Sequence, residues 1–115
     1  MKTIEIQKVD LASFCYLDNS RYPFLLESVN HNDNNRYSIL FAFPGENIVL
    51  NNASDFDFLN KLESKYKLNN TNSDLPFCGG WFVYLSYELI GQIENTLSAD
   101  LHSSDLPVAY AVKIP

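Results

Sequence analysis

The side chains able to do chemistry are few and scattered. Cys15 and Cys78 are the two cysteines, and His31 and His102 the two histidines. Neither histidine has a Cys or His partner at metal-ligand spacing. His31 sits in an Asn/Asp-rich stretch and His102 in a Ser/Asp-rich one, so both are expected to be solvated. A Ser-His-Asp relay needs a histidine beside its serine, which two loop histidines do not supply. Gly79-Gly80 is the one glycine pair. A phosphate-binding loop needs several glycines ahead of a helix, whereas this pair leads into a run of aromatic and β-branched residues. Carboxylate pairs such as Asp55 with Asp57, or Glu88 with Glu94, arise by chance in an acidic chain and are given no acid–base role. No catalytic residue and no metal ligand is therefore expected, and both cysteines are expected to be reduced, mostly buried thiols.

The composition narrows the partners. The chain has 115 residues, about one ordinary domain, and 46% of them are hydrophobic, enough for a real core. Its formal charge of −6 disfavours nucleic acid and anionic membrane surfaces. Lys61, Lys65 and Lys67 cluster, but Glu63 lies among them, as on a solvated helix face. No run reaches the length of a signal peptide or of a transmembrane helix, so a cytoplasmic location is expected. Asn52-Ala53-Ser54 and Asn69-Asn70-Thr71 match a glycosylation acceptor pattern and are read as chance matches.

The elements that position these residues follow from periodicity. Residues 2–8 alternate and predict a strand. Asp10 is placed to cap a short helix to about Tyr16, with Leu11, Phe14 and Cys15 on one face. Tyr22 to Ser28 reads as a strand with Pro23 at its start. After the polar stretch 30–35, Tyr37 to Phe43 is a second strand. Pro44-Gly45-Glu46 predicts a hairpin turn into Ile48-Val49-Leu50. Ser54 or Asp55 is expected to cap a helix to about Tyr66, with Phe58, Leu59, Leu62 and Tyr66 as its apolar stripe. Residues 67–74 form a second polar loop. Trp81 to Tyr87 is a strand, Glu88 to Ile93 a short helix or turn, 95–106 a loop, and Pro107 to Ile114 a last strand. The expected fold class is α+β in a single domain, 1–115: mainly antiparallel β-sheets with two or three short helices.

Three segments together carry a resemblance. They are Tyr22-Pro23-Phe24-Leu25-Leu26-Glu27-Ser28, then Arg36 to Ala42, then Leu75-Pro76-Phe77-Cys78-Gly79-Gly80-Trp81-Phe82-Val83-Tyr84-Leu85-Ser86-Tyr87-Glu88. In that order and spacing, with Leu106-Pro107-Val108-Ala109-Tyr110 near the end, they resemble the N-terminal region of the anthranilate synthase component I family. Gly79-Gly80-Trp81-Phe82 and Gly91-Gln92-Ile93-Glu94 are closer to its aminodeoxychorismate synthase component I branch, the para-aminobenzoate synthase large subunit. The resemblance spans roughly residues 20–115. Family members commonly have glycine where Val83 and Ser86 stand, which bears on local packing rather than on the fold.

The resemblance implies a two-sheet sandwich of which this chain is part. It implies a parent enzyme, a transferase of folate biosynthesis that converts chorismate and ammonia to 4-amino-4-deoxychorismate. A glutamine amidotransferase subunit supplies the ammonia. Magnesium binds with chorismate in a C-terminal domain that has no counterpart here, so this chain is expected to be inactive alone and to hold no cofactor. The resemblance also implies a pocket for tryptophan, matched by Ser28, Asn34, Asn35, Arg36 and Tyr37. A serine hydroxyl and loop backbone suit an amino acid's ammonium and carboxylate, an arginine pairs with the carboxylate, and a tyrosine walls an indole. Ordinary roles stand open beside these: Ser28 ending a strand, Arg36 pairing with Asp33, Tyr37 in the core. Two other readings stand beside the first, an anthranilate synthase feedback domain and a free-standing binding or scaffold module. The apolar ending at Ile114-Pro115 reads as a cut at a domain boundary, and the isolated chain is expected to self-associate through open sheet edges.

Overall fold

The computed structural model describes residues 4–28, 37–66, 74–94, 96–97 and 105–115. They form a mixed α+β fold of two antiparallel sheets and a few short helices, as the periodicity predicts. Their contacts divide into two compact units.

The first unit takes the described residues within Met1–Gly45, Asn70–Gly79 and Ile114–Pro115. Asp10 opens its helix: the carboxylate accepts hydrogen bonds from the Ala12 N–H (3.2 Å) and the Ser13 hydroxyl (2.5 Å). Helix α1 runs Leu11–Leu17. Leu11, Phe14 and Cys15 are half-buried, while Tyr16 and Leu17 are exposed. Asp18 then turns the chain by accepting from the N–H groups of Ser20 and Arg21. Strand β1 (Phe24–Leu26) starts directly after Pro23 and pairs antiparallel with β2 (Ile39–Phe41) in the register Phe24↔Phe41, Leu25↔Leu40, Leu26↔Ile39. Edge-to-face contacts of Phe14 with Tyr22 (5.4 Å between centroids) and of Phe41 with Phe77 (5.0 Å) pack the unit. Such pairs contribute about 1 kcal/mol each beyond burial.

The second unit takes the described residues within Glu46–Asn69 and Gly80–Lys113. Its sheet holds β3 (Asn47–Leu50), β4 (Gly80–Leu85) and β5 (Ala109–Ile114), in the order β3-β5-β4. The β3–β5 register is Asn47↔Val112 to Leu50↔Ala109. Burial along β3 alternates, with Ile48 and Leu50 inside and Asn47 and Val49 outside. Helix α2 (Phe58–Lys65) lays Phe58, Leu59 and Leu62 on that inner face, beside Leu89, Val108, Ala109 and Ala111. Phe58 and Leu50 are wholly buried, each stabilising by about 2 kcal/mol. A 3-10 turn, Tyr87–Leu89, leads into helix α3 (Ile90–Ile93).

Four local expectations are corrected. Residues 4–9 form no strand: Ile4 and Ile6 are about 70% exposed and lie in no ladder among the described residues. Alternation marks a segment fit for a half-buried ladder but does not provide its partner. The expected hairpin is absent, for β3 pairs with β5 rather than with β2. Phe43 breaks the extended path at φ 57, held there by a 2.8 Å hydrogen bond from its N–H to the Arg21 carbonyl and by the Arg21 guanidinium over its ring. Helix α2 is capped by Asp57, not by Ser54 or Asp55. The Asn52 side chain accepts from the Ser54 N–H and hydroxyl, which keeps that tripeptide in a turn. Tyr66 follows the helix and is exposed, so it leaves the stripe.

Candidate functional site

The β1–β2 ladder positions the residues singled out by the resemblance. The ladder's last pair is Leu26↔Ile39, and Ser28 and Tyr37 each lie two residues beyond it. Ser28 is half-buried, and Tyr37 is 41% exposed, so Tyr37 is not a core side chain. Asn34, Asn35 and Arg36, like Asp33 and both histidines, lie outside the described residues. A hydroxyl and a phenol thus flank the two ends of the segment that carries them.

The other end of the ladder is apolar. A cleft of about 270 Å³ opens there, lined by Phe41, Phe43, Phe77, Cys78, Ile114 and Pro115 among others, none of them charged. Its aromatic and aliphatic side chains suit a ring or an aliphatic group. Cys15 and Cys78 are free thiols, each half-buried. Among the described residues no group of three or more His, Cys, Asp or Glu is placed to hold a metal ion. None of their helices is long and apolar enough to cross a membrane.

Three of the motif positions have structural work. Gly79 and Gly80 sit at φ 99 and φ 144, backbone that side-chain-bearing residues rarely adopt. A Cβ on Gly79 would stand 3.1 Å from the backbone of Pro115. Gln92 ties down the approach to α2: its Nε2 donates to the carbonyls of Ala53 (2.7 Å) and Phe56 (2.6 Å), and its Oε1 accepts from the Phe58 N–H (3.1 Å). This role was not read from the sequence, where Gln92 stood only as one letter of Gly91-Gln92-Ile93-Glu94.

One carboxylate is electrostatically distinctive. Glu46 accepts a hydrogen bond from the Lys65 ammonium at the end of α2. That bond, helped by the charges of Lys65, Lys113 and Lys61, holds its pKa below the usual glutamate value, against an opposing effect of desolvation. The arrangement joins helix to strand and has no feature of acid–base catalysis.

No family model matches the sequence, and no curated protein or solved structure matches it.

Proposed function

We propose that the chain is the non-catalytic N-terminal domain of an aminodeoxychorismate synthase component I, contributing Ser28, Asn34, Asn35, Arg36 and Tyr37 to a pocket for tryptophan or a similar amino acid. The observation that supports this reading is the β1–β2 register, whose last pair, Leu26↔Ile39, leaves Ser28 and Tyr37 each two residues beyond the ladder, at the ends of the segment holding the other three. The positive φ angles at Gly79 and Gly80 and the three hydrogen bonds of Gln92 support it, since they give the motif residues reasons to be those residues. In this reading the chemistry belongs to the parent transferase. Chorismate and magnesium bind in its C-terminal domain, and a glutamine amidotransferase supplies the ammonia.

Calorimetric titration of the chain with L-tryptophan tests the pocket. Saturable binding that is abolished in both Ser28→Ala and Arg36→Ala is the expected result. Absence of heat at millimolar tryptophan, or binding that neither substitution affects, overturns the assignment of these residues.

A further inference from the structure

We draw no further inference here: the strongest candidate, the apolar cleft of the first unit lined by Phe41, Phe43, Phe77, Cys78 and Pro115 at the Phe24↔Phe41 end of the β1–β2 ladder, carries nothing, because nothing in the structure shows what covers it.

Discussion

A single amide at Gln92 satisfies three backbone groups between Ala53 and Phe58, one of them an N–H of the first turn of α2 that has no partner inside the helix. Gln92→Leu keeps the bulk and removes all three bonds. We expect a loss of about 2 kcal/mol in denaturant unfolding, because half-buried backbone groups are left unmatched. Ser86 is the reverse case. Its hydroxyl oxygen is buried with no hydrogen-bond partner among the described residues, at one of the two places where the resembled family commonly has glycine. Removing that oxygen removes a desolvated polar atom, so Ser86→Ala should stabilise by up to about 1 kcal/mol in the same assay. The motif that contains Gln92 was legible in the sequence. Its partners were not, since they lie far back along the chain and only the fold brings them within reach.

Between elements, α2 is joined to the start of β3 by the Lys65–Glu46 pair, and β3 to β5 by the 2.8 Å bond from the Lys113 N–H to the Glu46 carbonyl. Because the pKa of Glu46 is lowered in the fold, its charged form is favoured there relative to the unfolded chain. A carboxylate of this kind stabilises at pH values above its unfolded pKa, and that contribution disappears as pH falls through the folded one. Melting curves from neutral pH downward should therefore fall less steeply in Glu46→Gln than in wild type, with the two converging in acid. Equal slopes would remove the pair from any part in acid unfolding. The individual elements were largely legible. Asp10 followed by Leu11, Phe14 and Cys15 defined α1, the Trp81 run defined β4, and the apolar ending defined β5. Pairing was less so. The Pro44-Gly45 signal is a local one and points to the nearest strand, whereas Phe43 held by Arg21 and the distant β5 decide the topology.

At the scale of the whole molecule, the proposed pocket makes a thermodynamic prediction. A ligand bound only by the folded chain raises the melting temperature according to its concentration relative to Kd. At about a hundredfold excess the stabilisation is about 2.7 kcal/mol, which for a chain of this length is on the order of 10 °C. Tryptophan should therefore raise the melting point progressively, and Ser28→Ala should remove the dependence without lowering the starting value much, since Ser28 lies beyond the end of β1. Chorismate with magnesium supplies the contrast. In the proposed reading these bind in a separate domain of the parent enzyme, so they should leave the melting point of this chain unchanged. A rise with chorismate and magnesium but none with tryptophan would reverse the assignment, placing the substrate here and removing the amino-acid pocket.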